Sequence, residues 1–76
     1  MKYYQPIGKQ KNSKWTNFDT DYFVNFEKAK EYIRKKAKDK ECIIYGLDVF
    51  DTIKSDYIGM FWQLEGNGHF SRNYKE

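Results

Sequence analysis

The chain has one cysteine, one histidine and one proline among 76 residues, and no long apolar run. A single cysteine forms no internal disulfide, and with one histidine it cannot complete a cysteine-based zinc site. A chain without disulfides suits a reducing compartment. No stretch approaches the ~20 apolar residues of a transmembrane helix. The start, Met1-Lys-Tyr-Tyr-Gln-Pro6, lacks the apolar core of a signal peptide, so a cytoplasmic protein outside the membrane is expected. No repeat, linker or low-complexity segment divides the sequence, which predicts one domain over residues 1–76. Such a length is near the lower size at which one core suffices. Hydrophobic content is only 39%, below the ordinary globular range. Aromatics, at 20%, make up for this, because each ring buries a large area.

The aromatic and aliphatic residues concentrate in two segments, Cys42-Ile-Ile-Tyr-Gly-Leu-Asp-Val-Phe50 and Tyr57-Ile-Gly-Met-Phe-Trp-Gln-Leu64. Alternation predicts strands over 42–52 and 57–65, joined by a turn at Lys54-Ser-Asp56. Ile43, Tyr45, Leu47 and Val49 share one face of the first, and Ile58, Met60, Trp62 and Leu64 one face of the second. Upstream, Tyr3 to Ile7 reads as a first strand, with Pro6 at an edge or a strand end. A polar loop, Gly8 to Lys14, leads to a second strand ending near Val24. Asn25 is suited to cap a helix over 25–39, whose apolar stripe is Phe26, Ala29, Ile33 and Ala37. Glu31 and Lys35 stand four apart in the favourable order. Gly66-Asn-Gly68 is a strong turn signal, and His69 to Asn73 a last strand with Phe70 turned inward. The order β-β-α-β-β-β predicts an α+β fold: a small antiparallel sheet of four to five strands with one helix on one face. Phe26, Ala29 and Ile33 should then face Ile43, Tyr45, Leu47, Met60 and Trp62.

One helix covers one sheet face. The other carries Phe50, Tyr57 and Phe61, and with Trp15 these are the candidate partner-binding residues, since aromatics are enriched in interface cores. The alternative is that the sheet twists enough to bury them itself. The helix carries Lys28, Lys30, Arg34, Lys35, Lys36, Lys38 and Lys40, interrupted by Glu27, Glu31 and Asp39. Lys28, Arg34, Lys35 and Lys38, with Lys11 and Lys14 of the loop, are candidates for sequence-independent contact with DNA or RNA phosphates. The alternative is a solvated face. Trp15 beside Lys9, Lys11 and Lys14 matches the pairing of aromatic and cation that holds single strands, or else folds into the core.

Little here supports catalysis. Cys42 and His69 form a conceivable nucleophile pair without a third residue to orient the histidine. Cys42 among isoleucines reads as a small buried hydrophobe. Asp48, Asp51, Asp56 and Glu65 read as edge protection rather than an acid/base pair. No catalytic residue, metal site or cofactor is expected.

The pattern resembles small anti-CRISPR proteins encoded by bacteriophages, in particular a type I-F inhibitor with one helix on a curved antiparallel sheet. The likeness runs over about residues 20–72. It rests on Met1-Lys-Tyr-Tyr as an N-terminal strand, on Phe26-Glu-Lys-Ala-Lys-Glu-Tyr-Ile-Arg34 as the helix, on Cys42 and Gly46 after it, and on Glu65-Gly-Asn-Gly-His-Phe70. The resemblance implies a non-enzymatic inhibitor that binds a CRISPR surveillance complex and blocks or misdirects its handling of target DNA. A direct nucleic-acid binder using the basic helix and loop is the other reading, and a homodimeric module joined through the second face a third. Monomer and homodimer both remain open.

Overall fold

The computed structural model describes residues 2–18, 20–51 and 56–74, without the side chains of 51–59. Five strands, β1 (Lys2–Gln10), β2 (Trp15–Asn17), β3 (Cys42–Asp51), β4 (Asp56–Leu64) and β5 (Phe70–Tyr74), make one antiparallel sheet in the order β2-β1-β3-β4-β5. A helix, α1 (Phe26–Lys36), packs on one face and tightens into a 3-10 turn over Ala37–Asp39. The class is α+β, as the two periodicities predict.

The N-terminal strands depart most from expectation. β1 runs on to Gln10, so Pro6 lies within it, opposite Leu47 of β3. Proline is tolerated there because its nitrogen points away from β3. The Pro6 carbonyl, on the same side, accepts from Phe18 N–H at 3.2 Å, just beyond the end of β2. The missing N–H therefore costs no bond in the β1–β3 ladder. β2 is short: after Asn17 the chain turns so that Phe18 enters the core, and pairing resumes only as a bridge between Tyr4 and Phe23.

Asn25 caps α1, its side-chain oxygen accepting from Lys28 N–H at 3.0 Å. Ala29 and Ile33 are fully buried against Phe18, Tyr45 and Leu47. Tyr4, Phe26 and Trp62 ring this core, with Phe26 stacked on Tyr4 at 4.8 Å and tilted on Trp62 at 5.4 Å. Phe70 packs against the same cluster. The helix ends where Lys40 adopts a left-handed backbone, φ +56°. Ion pairs along it among the described residues are Lys30–Glu27 and Lys36–Asp39, not Glu31–Lys35.

Ile43 does not face the helix. The register steps from Gln10↔Cys42 to Lys9↔Ile44, leaving Ile43 as the extra residue of a bulge, 58% exposed. Cys42 packs against the core instead. The second sheet face also differs from the open surface expected. Ile7 and Asp48 are buried on it, and Phe61 is only 3% exposed. Trp15, on one edge strand, reaches Phe61, two strands beyond its neighbour, at 5.3 Å edge to face. The sheet curls until this face forms a small core of its own. Of the expected turn, Lys54 and Ser55 lie outside the described residues, as do the side chains of Tyr57 and Ile58, while Asp56 already belongs to β4, opposite Asp51.

Candidate nucleic-acid interface

The antiparallel register gathers five chain segments at one end of the molecule. β1 ends beside the start of β3 (Gln10↔Cys42), and β4 ends there too (Gly46↔Gln63), followed by its turn into β5. The β1–β2 turn and the end of α1 complete that end. The turn is closed rather than loose. Gln10 N–H donates to Lys14 carbonyl at 2.8 Å, Ser13 N–H to Gln10 carbonyl at 2.9 Å, and Lys14 N–H to Asn12 Oδ1 at 3.1 Å. Ser13 takes a left-handed backbone, φ 70°. Lys11 and Lys14 are exposed on this ordered turn.

Facing them across a cleft of about 570 Å³, bordered by Lys11, Asn12, Phe18, Glu41 and Cys42, is the segment that follows the helix. Two basic clusters that are separate in sequence thus share one end: Lys9, Lys11 and Lys14 from the turn, and Arg34, Lys35, Lys36, Lys38 and Lys40 from the helix and its tail. Among the described residues, only Asp39, Glu41 and Glu65 offset them there. The rest of the described residues carry more acidic than basic side chains, so that part is net negative.

The cations at this end differ in their freedom. Lys35 and Lys38 are exposed and outside the helix ion pairs. Lys36 is engaged: its ammonium lies 5.3 Å from the Phe18 ring centre and 3.7 Å from Asp39 Oδ2. Arg34 donates to Gly68 carbonyl through Nη2 at 3.2 Å and lies 5.1 Å over the Phe70 ring. It fastens the helix to the β4–β5 turn. Lys28, also expected at the interface, lies in the first turn of α1, roughly 15 Å along the helix from Lys38. The structure separates it from the others.

Of the expected partner-binding residues, Phe61 lies in the interior and presents no docking surface. Trp15 is half-buried against it, with Lys9 Nζ 5.8 Å from its centroid. Phe50 is half-buried and stacks on Tyr3 at 5.0 Å, and Tyr3 meets Tyr22 at 4.6 Å. Tyr22 is exposed, and this three-ring stack joins residues far apart in sequence. Tyr3 and Tyr22 escaped the sequence reading, because only the β1–β3 register brings Tyr3 to Phe50, and only the Tyr4–Phe23 bridge brings Tyr22 to Tyr3.

The residues weighed for catalysis have distinct surroundings. Burial first, and the Glu41 charge second, push the Cys42 thiol up, away from an activated nucleophile. His69 is exposed on the β4–β5 turn. Asp48 is buried, and Glu65 accepts a bond from the Ser71 hydroxyl. Among the described residues no three His, Cys, Asp or Glu side chains are grouped to hold a metal ion. No described helix is long and apolar enough to cross a membrane. Nothing among protein-family models, curated proteins or solved structures matches the chain. What stands is the class the fold defines, a one-helix α+β protein with a basic end.

Proposed function

We propose that the protein is a non-enzymatic, cytoplasmic binding protein whose basic end contacts nucleic-acid phosphates without reading sequence. The observation that carries this reading is the convergence of Lys11 and Lys14 with Lys35 and Lys38 on one end of a molecule that is net negative elsewhere. Clustered cations release counterions when they meet a phosphate backbone, and this contribution is independent of base identity. The residues at this end include no evident set for reading base edges in a groove.

A second reading has its own support. The Tyr22–Tyr3–Phe50 stack is an aromatic patch of the type that interface cores favour. A protein that touches nucleic acid with one end and a protein surface with this patch fits the expected inhibitor of a nucleic-acid-handling complex, anti-CRISPR-like in role.

The test is a salt titration of binding to fluorescently labelled duplex DNA, comparing wild type with the Lys11→Glu/Lys38→Glu double variant. Each lost phosphate contact should flatten the plot of log affinity against log salt by ~0.9. Absence of binding even at low salt would refute the basic-end reading.

A further inference from the structure

We propose that the hollow between the start of α1 and strand β5 binds a small aromatic anion, a carboxylate on one or two fused rings. It lies on the helix face of the sheet, at the Lys2 end of β1 rather than the Gln10 end that leads into the basic turn. α1 packs over β1 and β3. It begins at Phe26 and runs toward the basic end, and so leaves a hollow of about 290 Å³ above β4 and β5 beside its first turn. The register sets the lining. Tyr4 stands opposite Val49, and Trp62 opposite Arg72, and both pairs project onto the helix face. Val49 and Met60, both buried, form the floor. The rings of Tyr4, Phe26 and Trp62 form the walls, with Phe26 stacked on Tyr4 and tilted on Trp62. All three rings are only half-buried, so apolar surface is left for a ligand. Lys2 and Arg72, both exposed, stand at the rim.

The rim decides the sign of the ligand. Three rings around a hollow can hold a cation such as a quaternary ammonium. Here the charged side chains among the described lining residues are both positive, and none is a carboxylate. Lys2 and Arg72 also stand outside the ion pairs of the described residues. Arg72 already lies 5.6 Å from the Trp62 ring centre, in the place a ligand cation would take. Stacking there orients the guanidinium, whose planar fork of N–H donors matches a carboxylate. The apolar floor and ring walls suit a flat, apolar body behind that carboxylate. Sites for drug-sized ligands run from roughly 300 Å³ upward, so this hollow is sized for a small molecule. The two larger hollows, bordered by Lys11 and by Arg34, open at the basic end and belong to the interface already described.

The experiment titrates naphthoate, neutral naphthamide and cationic naphthylmethylammonium into isotope-labelled protein and follows the backbone amide and Trp62 indole N–H resonances. Naphthoate should bind roughly 10- to 100-fold more tightly than naphthamide, the factor that hydrogen bonds to a charged group supply, and should shift Phe26, Trp62 and Arg72 most. The ammonium should bind more weakly than either. Arg72→Gln should lose that factor on naphthoate and leave naphthamide nearly unchanged. Lys2→Gln, at a strand end, should lose part of the same preference, and it keeps the test open if Arg72→Gln alters the fold. Lys38→Glu lowers the net charge at the other end and should bind naphthoate as wild type does. Equal affinity for naphthoate and naphthamide, or shifts centred on the basic end, would overturn the anion site. Tighter binding of the ammonium would make the rings a cation cage and overturn it as well, as would failure of all three to bind at millimolar concentration. None of these outcomes touches the basic-end reading, which rests on other residues and on the salt titration with DNA.

Discussion

Gly46 marks the point where the curl of the sheet leaves no room. A Cβ there would sit 2.5 Å from the Trp62 carbonyl oxygen and 2.9 Å from Phe61 Cδ2. The first of these is backbone and cannot swing aside. Glycine lets the Phe61 ring lie close against β3, where Trp15 then meets it. Gly46→Ala should therefore cost about 1–3 kcal/mol, the usual range for overpacking, and urea unfolding would show it. Wild-type stability in that variant would mean that the second face is looser than the distances imply. Cys42 makes a different prediction. Its thiol is raised by burial and by Glu41, so at a given pH the folded chain holds less thiolate than the unfolded one. Alkylation near pH 8 should be slower in the native protein than in urea. The sign for stability follows: a raised acid contributes stability below the ordinary thiol range, and that contribution is lost as pH rises through the folded value. Faster alkylation of the native chain would mean an activated cysteine and reopen the catalytic reading.

The helix was the most legible element, and its energetics should be simple. Ile33 has no exposed surface, so Ile33→Ala should cost ~2–4 kcal/mol through lost burial and the cavity left behind. Asn25→Ala should cost ~0.5–2 kcal/mol, because the Lys28 amide loses its acceptor. Thermal or denaturant melts of both variants would check the ranking. If the cap cost more than the core residue, the stripe would not be what holds α1 in place. A helix stripe and its cap are local signals, readable within a dozen residues. The β4–β5 turn at Gly66-Asn-Gly68 was legible for the same reason, and Gly68 takes the positive φ of 86° that glycine permits. The failures were all non-local. Ile43 alternates correctly with Tyr45, but a bulge set by the pairing with β1 pushes it outward. Pro6 sits mid-strand because β2 stops short of it. Phe61 reads as the exposed side of a strand, and only curvature brings Trp15 from the far edge to cover it. The candidate cations were visible in sequence, but not their sorting into exposed, engaged and distant.

That sorting sets the behaviour of the whole molecule. The described fold gives the chain a basic end and a net negative remainder, so an approaching polyanion is attracted to one end and repelled by the rest. Orientation on nucleic acid is then imposed by charge before any contact forms. Two helix lysines separate this account from a general effect of net charge. Lys28 and Lys38 are both exposed, but Lys28 lies in the first turn of α1, next to Glu27, while Lys38 lies in the 3-10 turn that follows the helix, at the basic end. Reversing either one lowers the net charge by the same amount. If net charge alone governed binding, the two variants would weaken it equally. If the basic end governs it, Lys38→Glu should flatten the salt slope by ~0.9 on duplex DNA, and Lys28→Glu should leave the slope near wild type. Most of the small residual effect of Lys28→Glu should vanish above about 0.15 M salt, where the screening length of ~8 Å falls short of the distance between the two ends. Equal slopes in the two variants would show that the convergence of the two lysine clusters has no role in binding.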